Sequence, residues 1–134
     1  MKTKKVMMIA VFGLFSLITK SAAKIKTIGH RVLATKYHPV KRQCSGNPLI
    51  TADGSRINLK KLKAGKLKWI AVSRDLLKHY NFGDTVLVIS ENKRISGKWV
   101  IHDTMNSRFK RKIDFLLYPG SSDVIPRNVK ILLA

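Results

Sequence analysis

Short apolar runs alternate with polar, turn-rich segments along most of this chain, at intervals of roughly ten residues. Runs rich in β-branched and large apolar residues, bounded by Gly, Pro, Asn and Asp, are typical of β-strands. Strands are predicted at residues 32–37, 49–51, 67–72, 85–89, 98–102, 113–117 and 128–133. Six or seven short strands predict a mainly β domain, built as a small sandwich or closed barrel.

The segments between these runs carry turn signals and one helix signal. Asp53-Gly54 and Gly83-Asp84 are predicted turns. Ser73 is a suitable N-cap for a short helix that continues to His79. Residues 57–66 are predicted to form a solvated loop or a ragged helical turn.

The amino-terminal segment follows a different pattern. Three lysines, Lys2, Lys4 and Lys5, precede the 13-residue apolar run Val6–Ile18, and small residues end at Ala23. This pattern predicts a secretory signal peptide at residues 1–23, followed by a basic lead-in at residues 24–30 and one domain at residues 31–134. The run is short for a membrane-spanning helix, which needs about 20 residues. An uncleaved anchor is the alternative, and no stable membrane span is expected after cleavage.

Charge narrows the choice of partners. The chain has 27 basic and 7 acidic residues, for a net charge of +20. Removal of residues 1–23 takes away four lysines and leaves +16. Expected partners are therefore anionic surfaces: cell-wall polymers, lipid headgroups or nucleic acid. Export to the periplasm or cell envelope favours a cell-wall polymer.

Two of the few carboxylates lie close to apolar runs. Asp103 and Asp114 are eleven positions apart, and apolar strand residues precede each of them. One explanation is catalysis on a glycan, which requires a proton donor at the leaving oxygen. The other is structural: the carboxylates hold the loop between them through backbone N–H groups.

Five fragments, in order along the chain, resemble one known family. They are Ala34–Tyr37, Ile50–Gly54, Ile70–Asp75, Phe82–Val86, and Asp103-Thr104 followed by Ile113-Asp114. Together they resemble the three-aspartate (3D) domain family and its double-psi β-barrel relatives, which include membrane-bound lytic transglycosylase A, rare lipoprotein A and the family-45 endoglucanases. The resemblance covers residues 31–134 and implies a small six-stranded double-psi β-barrel with one or two short helices.

The resemblance also implies a reaction and places the family's three aspartates on Asp75, Asp103 and Asp114. A lytic transglycosylase uses one carboxylic acid, which protonates the glycosidic oxygen and then accepts the proton of the muramic C6 hydroxyl. We assign Asp114 to this role, because Ile113 and Phe115 are expected to face the core and to raise the pKa of the acid between them. Asp103 would orient Asp114 or hold substrate. The alternative to a catalytic role for Asp75 is that its carboxylate caps the short helix.

The remaining candidate residues are polar side chains near these aspartates. The predicted substrate-binding residues are Thr35, Tyr37, Thr51, Thr104, Asn106 and Arg108. Trp69 and Trp99 either stack on sugar rings or fill the core. His102 is expected to point to the face opposite Asp103, since successive strand residues alternate. The sequence indicates no metal site and no cofactor.

Three hypotheses about function follow. The first is an exported, monomeric enzyme of the lytic transglycosylase type that acts on peptidoglycan. The second is a non-catalytic wall-binding barrel, favoured because Met105-Asn106 stand where the family usually has glycines. The third, a nucleic-acid-binding protein, rests on charge alone; export and the few aromatics among the basic residues argue against it. Cys44 is the only cysteine, so its thiol is unpaired or forms an intermolecular disulfide.

Overall fold

The chain folds into a closed six-stranded β-barrel, seen in a computed structural model that describes residues 28–44 and 46–134. The strands are β1 (His30–Tyr37), β2 (Trp69–Val72), β3 (Thr85–Ile89), β4 (Gly97–Thr104), β5 (Lys112–Leu116) and β6 (Asn128–Leu133). One short helix, α1 (Leu59–Lys63), and one 3-10 helix (Arg74–Lys78) lie between strands. The predicted fold class, a mainly β six-stranded barrel, is confirmed.

The strands follow one another around the barrel in the order β1-β5-β2-β4-β3-β6, and β6 closes onto β1. Two pairs are parallel, β1 with β5 and β2 with β4. The other four pairs are antiparallel. This mixture is compatible with a double-psi barrel. Closure leaves none of these six strands with a free sheet edge, which removes the aggregation hazard that open edges carry.

Most predicted elements are present, with three differences. Strands β3 and β6 match their predicted ranges, whereas residues 49–51 contribute only an isolated bridge between Ile50 and Arg56. The ambiguous stretch at 57–66 contains α1, because the Asn58 side chain accepts the Lys61 N–H and caps the helix. Ser73 is at the N-cap of the 3-10 helix, but its hydroxyl accepts the Lys112 N–H instead of capping. The predicted signal peptide lies outside the described residues.

The barrel interior is filled by inward-facing residues of all six strands. Phe115 and Ile70 are fully buried there, and the Trp99 ring packs edge-on against Phe115 with centroids 4.7 Å apart. Trp99 donates its indole N–H to the Ile95 carbonyl at 2.7 Å. Of the two roles predicted for Trp99, stacking on a sugar ring or filling the core, the structure therefore shows the second.

A second apolar cluster covers one outer face of the barrel. Its buried members are Tyr37, Ile57, Leu62, Ala71, Met105 and Leu116. Leu62 is the buried residue of α1, so the lysine-rich helix packs against this face by one side chain. Strand β2 is consequently buried on both faces: Ile70 and Val72 in the barrel, Ala71 in the outer cluster. Within residues 28–44 and 46–134, the helices are too short and polar to cross a membrane.

Candidate active site

A β-bulge in β4 determines where Asp103 points. Ile70 of β2 pairs with Ile101, but the next residue, Ala71, pairs with Asp103, so His102 is an extra residue in β4. With regular alternation from the buried Trp99 and Ile101, Asp103 would point into the barrel. The bulge turns Asp103 to the outer face instead, as bulges beside functional sites commonly do.

The two predicted aspartates lie on either side of β2. Ala71 pairs with Asp103 on β4 and with Asp114 on β5. Neighbouring strands are about 4.8 Å apart, so the Cα atoms of the two aspartates are roughly 10 Å apart across β2. Both line one open groove of about 570 Å³, and Ala71 forms part of its floor. A methyl side chain at this position leaves the space between the carboxyl groups open.

Asp103 is held in place by three hydrogen-bond donors. Its Oδ1 accepts the backbone N–H groups of Ala52 and Thr104, each at 2.9 Å. Its Oδ2 accepts the Tyr37 hydroxyl at 3.1 Å. This carboxyl group therefore has a fixed orientation in the groove, and the turn that contains Ala52 is attached to β4 through it.

Asp114 has a different environment. The hydroxyl of Thr35, its pairing partner on β1, donates to Oδ1 at 2.9 Å. Burial raises the pKa of Asp114 above its usual value. The neighbouring Asp103 acts in the same direction, while Thr35, Lys112 and His38 act in the opposite direction without cancelling the rise. A carboxyl group with a raised pKa holds its proton more readily near neutrality, which is what a general acid requires.

Tyr37 connects the aspartates to the outer cluster. The ring is buried, with 9% of the residue exposed, and its hydroxyl reaches Asp103. Burial raises the pKa of this phenol, and the charge and hydrogen bond of Asp103 raise it further. Tyr37 therefore stays protonated and acts as a hydrogen-bond donor in the groove.

Asp75 is separate from the other two aspartates. It lies in the first turn of the 3-10 helix, and it is not among the residues that line the groove. Its Oδ2 accepts the Arg111 N–H at 3.0 Å. Burial acts to raise the pKa of Asp75, but hydrogen bonds from Ser73 and the Arg111 N–H lower it. Arg111 has a φ of 46°, which is unfavourable for a non-glycine residue. The carboxylate thus holds the strained turn that leads into β5.

Most of the predicted substrate-binding residues surround the groove. Those that line it are Tyr37, Thr51, Thr104, Asn106 and Arg108, while Thr35 is attached to it through Asp114. The Thr51 hydroxyl is already engaged: it donates to Asp53 Oδ1 at 2.7 Å, and the residue is 5% exposed. Thr51 therefore stabilises its own turn, and its hydroxyl is already used in that turn instead of being free for a ligand. Sequence reasoning missed several lining residues, among them Gln43, Arg74 and Phe109.

The loop between β4 and β5 accommodates Met105-Asn106 without strain. Among the described residues, Arg111 is the only non-glycine with positive φ, so neither position requires glycine. Met105 is buried in the outer cluster, and the Asn106 side chain accepts the Arg108 N–H at 3.0 Å. The Phe109 ring lies beneath the charged ends of Arg108 and Lys112, 4.7 and 4.2 Å from its centroid. The loop places a cationic rim on the groove.

His102 takes part in a cluster that the sequence did not reveal, and its predicted orientation is wrong. As the bulge residue it lies outside the barrel core, and its ring is tilted by 51° against that of Trp69, with ring centroids 4.2 Å apart. Its Nδ1 is 2.6 Å from Asp53 Oδ2 and 3.2 Å from the Ser55 hydroxyl. Ser55 and Asp53 contact the same ring nitrogen, whereas a Ser-His-Asp triad uses opposite nitrogens. The cluster therefore clamps the turn at residues 51–55 onto β4.

Asp53 is the charged centre of this clamp. Partial burial acts to raise its pKa, but the hydrogen bonds from His102, Thr51 and Ser55 prevail and lower the pKa to about 2. The clamp fixes the turn that supplies the Ala52 N–H to Asp103. The Asp53-Gly54 turn was predicted; its partner 49 residues away was not.

Cys44 also lines the groove, with a half-buried thiol whose pKa is raised by burial. A thiol with a raised pKa is less often a thiolate and is a weak nucleophile at neutral pH. Within residues 28–44 and 46–134, no three His, Cys, Asp or Glu side chains are grouped to hold a metal ion.

Comparison with known proteins yields two negative findings. No protein-family model matches this chain. No curated protein is significantly similar to it in sequence.

Proposed function

We propose that this protein is an exported, peptidoglycan-acting enzyme of the lytic transglycosylase type, related to the 3D-domain and double-psi barrel proteins that its motifs resemble. The observation that carries the proposal is the unequal pair of aspartates in one groove. Asp114 has a raised pKa and few donors, and Asp103 is fixed by three donors. Pairs of carboxyl groups whose environments differ in this way are typical of acid-base sites on glycans.

In the proposed reaction, the protonated carboxyl of Asp114 gives its proton to the oxygen between the MurNAc and GlcNAc rings. The bond from that oxygen to the MurNAc C1 breaks, and positive charge develops on the sugar ring. The Asp114 carboxylate then accepts the proton of the muramic C6 hydroxyl, whose oxygen bonds to C1. The product is a 1,6-anhydro ring, no water is consumed, and Asp114 is protonated again.

The other groove residues support this chemistry. Thr35 holds Asp114 through Oδ1, so the second carboxyl oxygen is the one that faces the glycosidic bond. Asp103, oriented by Tyr37 and the two N–H groups, provides a fixed negative charge for the developing oxocarbenium ion. Arg108 on the rim is suited to the carboxylates of the peptide stem.

The alternative is a non-catalytic barrel that binds cell-wall glycan. One observation favours it: both oxygens of Asp103 are used in contacts that hold the turn and Tyr37, which is what a purely structural carboxylate does. In this case the groove binds a sugar chain, and Asp114 is a partly buried acceptor for Thr35.

Digestion of purified peptidoglycan separates these functions. Mass spectrometry of the soluble products should show muropeptides with 1,6-anhydro ends. Products with reducing ends would indicate a hydrolase that uses water. Retention on the insoluble wall without any soluble product would support the binding barrel.

A further inference from the structure

A second cleft, about 750 Å³ in volume, lies on the barrel away from the two aspartates and shares no lining residue with their groove. One wall is the segment from the end of α1 to the start of β2. The other is the loop at residues 117–123. Its rim carries Lys63, Lys68 and Arg94.

The charge of this cleft is one-sided. Among the described residues that line it, Asp123 is the only carboxylate. Asp123 is 3.2 Å from Arg94 and also accepts the Ser121 hydroxyl at 3.1 Å. The stretch between Asp53 and Asp75 contains seven lysines and arginines and no acidic residue. Among the described residues, neither Lys63 nor Lys68 is within ion-pair distance of a carboxylate. The cleft thus presents two uncompensated ammonium groups.

Each of the two ammonium groups also lies over an aromatic ring. Lys63 Nζ lies 5.6 Å from the centroid of the Tyr118 ring, and Lys68 Nζ lies 5.6 Å from that of Trp99. Such contacts restrict flexible lysine side chains. Restriction before binding reduces the entropy lost when a ligand is bound.

We propose that this cleft binds a linear phosphate-bearing polymer, of the base-free kind found in cell envelopes, as an anchoring site apart from the groove. Lysine ammonium groups are common point-charge ligands of phosphate. The alternatives fit the cleft less well. A single-stranded nucleic acid would need free aromatic faces for its bases, but Trp99 is 2% exposed and the Tyr118 ring has Lys63 over it. Insertion into a membrane surface would need exposed apolar residues, and none of the large exposed hydrophobic residues within 28–44 and 46–134 lines the cleft.

The test compares two double variants that remove equal charge. K63Q/K68Q alters the cleft, and K78Q/K130Q removes two exposed lysines that line neither cleft. The probe is long-chain inorganic polyphosphate, titrated by calorimetry at several salt concentrations. We expect K63Q/K68Q to weaken binding about tenfold at 0.15 M salt and to reduce the slope of log K against log salt by about two, since each phosphate contact contributes about one. K78Q/K130Q should change the affinity less than threefold.

Three outcomes would overturn the proposal. Equal losses in both double variants would show that the whole surface charge binds the polymer. Chemical-shift changes at Asp103 and Asp114 instead of the cleft would place the polymer in the groove. Binding of oligothymidylate with the same number of phosphates more than tenfold tighter than polyphosphate would identify a nucleic-acid site. None of these outcomes depends on glycan cleavage, so the test stands apart from the proposed reaction.

Discussion

The clamp between Asp53 and His102 allows a prediction with a calculated magnitude. Asp53→Asn keeps the size of the side chain and the oxygen that accepts from Thr51, but it removes the charge. A pKa lowered from 3.8 to about 2 corresponds to at most about 2.4 kcal/mol of stability. The Asp53 side chain is only 15% exposed, but the residue as a whole lies at the surface, so solvent screening reduces this to about 1 kcal/mol. For a domain of this size the loss lowers the melting temperature by roughly 4–8 °C.

The pH dependence follows from the direction of the pKa change. A carboxyl whose pKa is lower in the folded state stabilises the protein above its unfolded value and loses that contribution as the pH falls. The difference in melting temperature between wild type and Asp53→Asn should therefore be at its full size at pH 6. It should shrink as the pH falls from 3.8 through about 2. Thermal melts followed by circular dichroism across this range measure it.

Glu91→Gln is the matched control, since Glu91 is an exposed acid outside both clefts. It should melt within about 1 °C of wild type, as exposed surface substitutions usually do. An Asp53→Asn protein that melts like wild type at pH 6 would refute the clamp. A difference in melting temperature that persists at pH 2 would show that packing of the Asp53 side chain, and not its charge, stabilises the turn. Hydrogen exchange at the Ala52 amide should also be faster in Asp53→Asn, because the turn that donates to Asp103 is loosened.

Three further predictions concern the groove and the surface charge. Asp114→Asn should raise the melting temperature at pH 7, because a carboxyl with a raised pKa destabilises the fold as pH rises above 3.8. The gain in melting temperature should vanish below that pH. A lower melting temperature at pH 7 would support a purely structural Asp114. Tyr37→Phe should cost about 1 kcal/mol in a denaturant titration by removing a donor to Asp103, and an unchanged midpoint would contradict that bond. Binding to purified sacculi should weaken as salt increases in a pull-down assay, and retention that is independent of salt would exclude charge as the driving force.

The strands could be predicted from sequence because each one has a local pattern. Thr85–Ile89 and Asn128–Leu133 are β-branched or apolar runs between turn residues, and their bounds are those predicted. The stretch at residues 49–51 is also apolar and β-branched, but it pairs only through the single bridge between Ile50 and Arg56. The residues between them form a turn, so no strand lies beside this stretch. The helix signal at Asn58 was present in the sequence and was overlooked among the lysines that follow it.

The site was less accessible to sequence reasoning, since it depends on register. The aspartates were identified from their spacing and from the family resemblance, and the structure places Asp103 and Asp114 in one groove. The bulge at His102 arises from the pairing of β4 with β2, which are about 30 residues apart, and no local pattern marks it. Regular alternation therefore placed His102 and Asp103 on opposite faces, whereas both side chains lie outside the barrel. The contact between Asp75 and Arg111 was also out of reach, because it joins the 3-10 helix to a turn 36 residues later.

The central claim is that Asp114 is the acid and base of a glycan cleavage without water. The direct test is the rate of anhydromuropeptide release from purified peptidoglycan by wild type, Asp114→Asn and Asp103→Asn, measured by mass spectrometry. We expect Asp114→Asn to lose about 10²- to 10⁴-fold or more in rate. Asp103→Asn should lose less, and both variants should still bind the wall. Release by Asp114→Asn at a rate close to that of wild type would contradict the claim.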